Sequence, residues 1–421
     1  MQRLDGAVRR YAWGSRTLLP RFLGGEPDGD PHAELWLGAH PGDPAALEDG
    51  TSLADLIARR PVAALGPEVA RRFGGRLPFL MKALAAAEPL SLQVHPTAAR
   101  ARAGFAREHA AGIPVGARHR SYQDESHKPE LIVALTRFEG MAGFRDVERS
   151  AAILRMLDLP WADAVADQLT VGEPDKALHT VVADLLALPG DEIAELLTAV
   201  SAAARRAEEE GHRRRPPSRR MHRERDDVDR EATRVFAQTP PLAERYPRDP
   251  GVLVTLLLNH VILRPGEAMF LDAGIVHAYT SGFGVEIMAA SDNVVRAGLT
   301  PKHVDVPELL EIADFRPTPP PQWDPEEAGP TTLAYTPPVA EFSLHVVSAP
   351  AADLPVAGPC IVLALDGEVT VATAADSQTL AQGDAVFVGY DEGALELSGA
   401  GRVAIAGVPD APAEAQPDGS A

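Results

Sequence analysis

Two short stretches, Gly266-Glu267-Ala268-Met269-Phe270-Leu271 and Gly383-Asp384-Ala385-Val386-Phe387-Val388, repeat one pattern in distant parts of the chain. In each stretch, a glycine and an acidic residue form a turn that leads into a short apolar strand. Such a unit is typical of a jelly roll, in which two antiparallel sheets enclose a central space. The repeat therefore predicts a mainly β protein with two related β barrels.

The two copies differ in the residues that come after them along the chain. His277 comes shortly after the first strand, whereas no histidine occupies the matching place after the second. Both copies resemble the second half of a cupin motif, which implies cupin-type jelly-roll β barrels. Because the histidine is present only after the first copy, we expect the first barrel to hold a metal and the later barrel to be structural.

A change of apolar spacing predicts a helical segment between the β regions. Leu178, Val181, Val182 and Leu185 recur at helical intervals. Acidic residues are interspersed with the arginines of the stretch 205–234, which indicates a solvated loop, and the apolar run 251–258 predicts a return to strands. The predicted organisation is a cupin-like catalytic β domain at 1–145 and 246–320, a helical insert with the charged loop at 146–245, a cupin-like C-terminal β domain without metal ligands at 321–410, and a disordered tail at 411–421.

Composition limits the classes of partner. The formal net charge of the 421 residues is −20, and binding to a phosphate backbone needs a dominant basic surface, so nucleic acid is not expected as the partner. No apolar run approaches the roughly 20 residues that a membrane-spanning helix needs, which predicts a soluble protein without a membrane partner. The first residues lack the apolar core of a secretory signal. Together with the lone cysteine, Cys360, this predicts a cytoplasmic location.

Polar residues that suit a metal occur in three separated stretches. Strand alternation puts Ser91, Gln93 and His95 on one face, which in a barrel can face the interior. Glu130 leads into an apolar run, and a glycine turn precedes His277. Two histidines, one carboxylate and one amide oxygen suit Zn²⁺, although Fe²⁺ or Mn²⁺ would also fit. The combination predicts one metal site built from all three stretches.

Longer segments around these residues resemble the class I mannose-6-phosphate isomerases, also called phosphomannose isomerases. The resemblance covers most of residues 1–145 and 250–310, and the longest of its motifs is the run 285–302. The segments that carry it are Tyr11-Ala12-Trp13-Gly14-Ser15, Ala33-Glu34-Leu35-Trp36-Leu37-Gly38-Ala39-His40-Pro41, Phe79-Leu80-Met81-Lys82, Ser91-Leu92-Gln93-Val94-His95-Pro96, His127-Lys128-Pro129-Glu130 and Val285-Glu286-Ile287-Met288-Ala289-Ala290-Ser291-Asp292-Asn293-Val294-Val295-Arg296-Ala297-Gly298-Leu299-Thr300-Pro301-Lys302.

The resemblance implies an activity and a set of site residues. It implies an aldose-ketose isomerase that interconverts mannose 6-phosphate and fructose 6-phosphate with one Zn²⁺ per chain. The four residues implied as zinc ligands are Gln93, His95, Glu130 and His277. The residues implied as lining the substrate pocket are Lys82, Lys128, Tyr279, Glu286 and Arg296, with Ser91 nearby.

The chemistry of such an isomerase assigns roles to these side chains. A proton must move between C2 and C1 through an enediol, which needs a base and a group that stabilises the negative oxygen. Glu286 is our hypothesis for the base, provided that a partly desolvated pocket raises its pKa. Arg296 is expected to bind the phosphate or to assist proton transfer. Lys82 and Lys128 are expected to hold the 6-phosphate as compact positive charges, and Lys128 is also expected to be catalytic, with Glu286 and Arg296.

Two other functions remain open from the residues. A cupin oxygenase with Fe²⁺ would also use two histidines and a carboxylate, although the Gln93 ligand and the basic pocket disfavour it. A sugar-binding cupin without catalysis would need a pocket but neither a full metal site nor a base. A monomer that binds a small sugar phosphate is the default expectation for the assembly.

Overall fold

The computed structural model describes residues 1–213, 223–352, 354, 356 and 358–410. The amino-terminal part combines strands with short helices. Its strands are β1 (Gln2–Asp5), β2 (Ala7–Arg9), β3 (Glu34–Gly38), β4 (Ala46–Leu47), β5 (Phe79–Ala86), β6 (Leu92–Val94), β7 (Glu130–Ala134) and β8 (Phe138–Phe144). Its helices are α1 (Leu18–Phe22), α2 (Leu53–Arg59), α3 (Pro61–Leu65), α4 (Pro67–Arg72) and α5 (Ala98–Ala110).

A run of helices comes next, as the apolar spacing predicts. These are α6 (Val147–Arg155), α7 (Pro160–Leu169), α8 (Pro174–Leu186), α9 (Gly190–Arg213), α10 (Arg223–Arg245) and α11 (Gly251–Val254). The Asp146 side chain caps α6 by accepting a hydrogen bond from the Arg149 amide, and proline occupies the first turn of α7 and α8, where its missing N–H costs nothing.

Two predictions in this region are wrong. The Arg-rich stretch predicted as a loop at 205–234 is helical up to Arg213 and again from Arg223, while residues 214–222 lie outside the described part of the chain. Of its described side chains, Arg205, Arg206, Asp227, Asp229 and Arg230 are exposed, whereas Glu231 is buried, as are Val235 and Phe236 just after the stretch. The apolar run 251–258 forms α11 and a 3-10 turn, and strand begins only at Leu258, because a short buried apolar run has no distinguishing period.

The remaining elements are mostly strands. They are β9 (Leu258–Leu263), β10 (Ala268–Leu271), β11 (His277–Ala289), β12 (Val295–Gly298), α12 (Val306–Ile312), β13 (Gln322–Trp323), β14 (Glu326–Gly329), β15 (Thr332–Tyr335), β16 (Ser343–Ala351), β17 (Cys360–Ala372), β18 (Ser377–Ala381), β19 (Ala385–Val388) and β20 (Glu396–Gly407). The mainly β fold with helices is thereby confirmed. The predicted tail at 411–421 lies outside the described residues.

The long strand β11 joins two layers of an eleven-stranded sheet. Its first half pairs with β6 and β8, and its second half pairs with β5 and β7. The change occurs at Gly282, where φ is +124° and a Cβ would lie 2.7 Å from the Cα of Phe138. A single strand thus contributes His277 to one layer and Glu286 to the other.

The second sheet has nine strands, in the order β14-β15-β16-β20-β17-β19-β1-β4, with β18 paired to β17. Strand β1, which the sequence groups with the first β domain, is hydrogen-bonded to β19 here. Among the described strands, both sheets remain open, so the predicted closed barrels are not observed. The reason in the larger sheet is that β11 bends from one layer into the other instead of closing a ring of hydrogen bonds.

Buried apolar side chains pack the helices and the two sheets against one another. One cluster buries the insert helices against β6, β8 and α12. A second lies between the two sheets and includes Phe79, Ile287, Ile361 and Phe387. None of the helices in the described residues is long and apolar enough to span a membrane.

Candidate metal centre and substrate pocket

His95, Glu130 and His277 form a buried cluster of potential metal ligands. One ligand atom from each lies within 4.8 Å of the others. His95 comes directly after β6, Glu130 begins β7 and His277 begins β11. Antiparallel pairing sets Gln93 of β6 directly opposite His277, so strand register brings these stretches together.

Both imidazole rings are oriented by backbone carbonyls. The Nδ1 of His95 lies 2.8 Å from the carbonyl oxygen of Asn293, and the Nδ1 of His277 lies 2.8 Å from that of Ile275. Each Nδ1 must therefore donate, which leaves Nε2 as the free lone pair. Burial lowers the pKa of His277 to about 4 and holds that of His95 well below its usual value, so both rings are neutral, the form that binds metals.

The atoms that face one another in this cluster are all acceptors. His95 Nε2 lies 3.4 Å from Glu130 Oε1, and His277 Nε2 lies 3.5 Å from Glu130 Oε2. His95 Nε2 and Glu130 Oε2 are buried without a hydrogen-bond partner. Buried acceptors without partners are costly, and a shared cation satisfies them together. The donor set and geometry therefore fit a metal ion.

Gln93 lies at the edge of this cluster. Its Nε2 is 3.3 Å from His277 Nε2, and its side chain is half-buried. An amide oxygen and nitrogen exchange places by a 180° rotation, so the same position can direct the oxygen toward the cluster. The structure thus brings all four sequence-predicted ligands together.

A cavity of about 200 Å³ adjoins these residues and is lined by every predicted pocket residue, including Ser91 and Tyr279. At its base, Lys82 Nζ donates to Glu286 Oε2 at 2.8 Å and lies 3.6 Å from Glu34 Oε1. Burial acts to lower the pKa of Lys82, but the two carboxylates outweigh it and raise that pKa. The Lys82 ammonium is therefore held as a charged partner of Glu286.

Lys128 occupies a different electrostatic environment. Its Nζ contacts Glu130 Oε1. Burial, together with the positive charge of Lys82, lowers the pKa of Lys128 to about 8. Burial and the charge of Glu286 also hold the pKa of Tyr279 well above its usual value, so that phenol is neutral. Within the pocket, Lys128 therefore holds its proton less firmly than Lys82.

Arg296 and Lys302 are the pocket cations that have no carboxylate within ion-pair distance among the described residues. Partial desolvation lowers the pKa of half-buried Arg296 and of Lys302, which is exposed to solvent at its side chain, and the charge of Arg296 lowers the pKa of Lys302 further. Sequence reasoning did not select Lys302, although it ends the longest family motif. Reasoning from the residues also missed Glu34, which accepts a hydrogen bond from Trp36 and faces Lys82.

His40 and His127 lie in the family motifs, but neither belongs to the metal cluster. His40 is buried between the Trp36 ring and Asp292, with its Nε2 3.5 Å from the Asp292 carboxylate. His127 precedes Lys128 but binds Glu341 of the C-terminal region, with Nε2 2.8 Å from Oε1. His127 therefore connects the two β regions, and it does not line the cavity.

Comparisons with known proteins agree with this site. Residues 1–147 match the family model for the catalytic domain of type I phosphomannose isomerase. Over 413 residues, the chain is 38% identical to the mannose-6-phosphate isomerase of Salmonella typhimurium, with 96% of this chain and 98% of the relative covered. The Escherichia coli mannose-6-phosphate isomerase is 38% identical over 415 residues, at the same coverage.

Solved structures give the same result. A crystal structure of mannose 6-phosphate isomerase bound with zinc and yttrium superposes with a TM-score of 0.81 at 36% identity, covering 97% of this chain and 99% of that one. The Salmonella typhimurium enzyme bound to its substrate f6p and a zinc atom gives the same four values. Because the similarity extends over nearly the whole chain, the protein belongs to the mannose-6-phosphate isomerase family.

Proposed function

We propose that this protein is a zinc-dependent isomerase that interconverts D-mannose 6-phosphate and D-fructose 6-phosphate. The observation that carries the proposal is the buried cluster of His95, Glu130 and His277, whose unpartnered acceptors adjoin a pocket rich in cations. A relative of similar fold binds zinc and f6p. Gln93, His95, Glu130 and His277 would hold one Zn²⁺, which would supply a Lewis acid beside the sugar oxygens.

Arg296 and Lys302 are proposed to bind the 6-phosphate. Lys82 and Lys128, which the sequence assigns to the phosphate, each contact a carboxylate. Arg296 and Lys302 have no such partner among the described residues, and a guanidinium can bind phosphate through two parallel hydrogen bonds. This assignment puts Lys82 and Lys128 at the end of the pocket where C1 and C2 react.

Glu286 remains our proposed base for moving the proton between C2 and C1. One carboxylate can serve both carbons when they present the same face, which corresponds to a cis-enediol intermediate. The hydrogen bond from Lys82 fixes the carboxylate at the pocket wall. Lys128, whose pKa is lowered by burial, is proposed to exchange a proton with a sugar oxygen.

The finer architecture also belongs to the proposal. We propose that the two layers joined by β11 form a cupin-type jelly roll and that the predicted domain limits of 1–145 with 246–320, 146–245 and 321–410 hold, except that β1 and β4 belong to the C-terminal sheet and β13 to the larger sheet. The antiparallel layers and the repeated turns before β10 and β19 support the jelly roll. A cytoplasmic monomer is proposed because the lone Cys360 is buried and large exposed apolar residues in the described chain are few.

Metal analysis and an activity assay test the function. Purified protein is expected to contain one zinc per chain and to form fructose 6-phosphate from mannose 6-phosphate, and a chelator should abolish the reaction until zinc is restored. Iron with oxygen consumption on adding a substrate would favour the oxygenase. A folded protein that binds the sugar phosphate but stays inactive with zinc would favour the binding module.

A further inference from the structure

Asn293 is completely buried in the turn between β11 and β12, and its side chain is fully hydrogen-bonded. Oδ1 accepts from the amides of Gln123 at 2.7 Å and Asp124 at 3.2 Å. Nδ2 donates to the carbonyl oxygens of Asp124 at 2.8 Å and Ser126 at 2.7 Å, and to Asp124 Oδ1 at 3.2 Å. Both lone pairs and both protons of the amide are therefore used on the segment 123–126.

The backbone of the same residue contacts the metal cluster. The Asn293 carbonyl is the acceptor for His95 Nδ1, the contact that aims His95 Nε2 toward Glu130. The segment that the Asn293 side chain holds leads directly to Lys128, which touches Glu130. Asn293 thus joins two separated stretches of the site, one through its side chain and one through its backbone.

We propose that Asn293 is a positioning residue for the metal centre, acting through His95 and Lys128. The inference rests on the proposed function and names a residue for it that contacts neither the substrate pocket nor the ion. With the amide anchored at four backbone groups, the carbonyl cannot rotate away from His95. Without that anchor, the carbonyl and the imidazole are free to reorient, and metal affinity falls.

A second set of contacts holds the same turn, so we expect the protein to fold without the Asn293 amide. Ser291 Oγ donates to Asp124 Oδ1 at 2.9 Å, and the Asp292 amide donates to Asp124 Oδ2 at 2.9 Å. These contacts hold the turn near the segment 123–126, but neither touches His95. The effect of removing the amide should therefore fall on the metal site more than on overall folding.

The test compares Asn293→Ala with the parent protein and with Glu231→Gln. Glu231 is a buried acceptor for Arg145 and Arg149 in the helical region, so its substitution disturbs a buried polar network that does not contact the cluster. Zinc affinity is measured by competition with a coloured chelator, and the cobalt-loaded proteins are compared by visible absorption. Thermal unfolding of the metal-free proteins gives the effect on the fold.

Asn293→Ala keeps the carbonyl that faces His95 but removes its anchor, so it is expected to weaken zinc binding by up to about 10–100-fold, the usual range for changes behind a metal ligand, and to alter the cobalt spectrum. Glu231→Gln should lower the unfolding temperature with parental zinc affinity. If Asn293→Ala does not fold, Asn293→Ser replaces it, since its short hydroxyl adds no charge to the buried turn but does not reach the segment 123–126 with the four backbone contacts of the amide.

Parental zinc affinity and an unchanged cobalt spectrum in the folded Asn293 variant would overturn the inference. The proposed function would still stand after that result if the parent protein binds zinc and isomerises mannose 6-phosphate. A parent protein that binds no zinc would overturn both.

Discussion

The repeated segments 266–271 and 383–388, each a glycine and an acidic residue followed by a short strand, allow the two β regions to be compared. Gly266 and Gly383 have φ of +89° and +87°, and each precedes a fully buried four-residue strand, β10 or β19. After β10 the chain reaches His277 and a cluster of buried polar groups. After β19 it enters a 3-10 turn, and the adjoining interior is apolar. The same local unit therefore serves a reactive site in one region and a packed core in the other.

The difference has an energetic meaning. A buried acceptor without a partner costs about 1–3 kcal/mol, and the metal cluster contains two, His95 Nε2 and Glu130 Oε2. The C-terminal cluster instead consists of aliphatic side chains such as Val362 and Ile405, together with Cys360. We infer that the buried polar groups of the metal-site region lower the stability of the metal-free protein, whereas the apolar core of the C-terminal region raises it. Substitutions matched between the two regions can test this.

The largest effect is expected from His277→Ala. It removes a ligand, so zinc affinity and isomerase activity should each fall by more than about 100-fold, beyond the usual effect of changing a group behind a ligand. Metal analysis and fructose 6-phosphate formation measure the two quantities. The matched control is His345→Ala, which removes the buried histidine of β16 and should leave both unchanged. Zinc retained by the His277 variant would refute the ligand assignment.

Arg296→Ala should have the next largest effect. Loss of hydrogen bonds to a charged partner costs about 1.5–3 kcal/mol, which corresponds to a decrease of about 10–150-fold in kcat/KM. Zinc content should stay at the parental level, since Arg296 is not among the ligands. Lys302→Ala should have a smaller effect, because Lys302 lies exposed at the rim. Equal losses of zinc and turnover in Arg296→Ala would show that its role is misassigned.

Ile405→Val and Ile132→Val compare the two interiors directly. Both isoleucines are fully buried, Ile405 in the C-terminal cluster and Ile132 opposite Glu286 in the sheet register. Each substitution should lower the free energy of unfolding by about 1 kcal/mol. Chemical denaturation measures this, and steady-state kinetics should show a change in kcat only for Ile132→Val. A change in kcat for Ile405→Val would mean that the C-terminal core is coupled to the site.

The smallest effect concerns the ion pair between His127 and Glu341, which links the regions. Its hydrogen bond to Glu341 raises the pKa of His127 above its usual 6.5. A raised pKa in the folded state stabilises the protein below pH 6.5, and this contribution is lost as the pH rises through the raised value. His127→Gln should therefore cost up to about 1 kcal/mol near pH 6 and nothing at high pH. The free energy of unfolding is measured for the parent and the His127→Gln variant across this pH range. A difference between them that grew with pH would contradict the proposed contribution of the ion pair.

Several features could be predicted from the sequence because they depend on neighbouring residues. Apolar spacing indicates the insert helices, and strand alternation puts Gln93 and His95 on one face. The four predicted ligands converge in the structure, with the three titratable ones in one cluster. The stretch 205–234 resembles a loop in sequence because its charged residues far outnumber the apolar residues that would reveal a helical period.

Other features depend on contacts between distant parts of the chain. The pairing of β1 with β19 has no local signal, since the two strands are separated by almost the whole chain. The pairing of Lys82 with Glu286 also required the structure, and it changed our assignment of the phosphate site to Arg296 and Lys302. Asn293 belongs to a family motif, yet its five side-chain contacts all reach a segment more than a hundred residues away.

The amino-acid sequence alone established the residue types of the metal site, the alternation that gives them a common face, and the family. The folded chain was needed to show which carboxylate each lysine contacts, which carbonyls aim the two imidazoles, and which cations remain available for phosphate. The physical reason is that donor chemistry and strand period are local properties of the chain, whereas desolvation, charge pairing and hydrogen-bond partners arise from groups that only folding brings together.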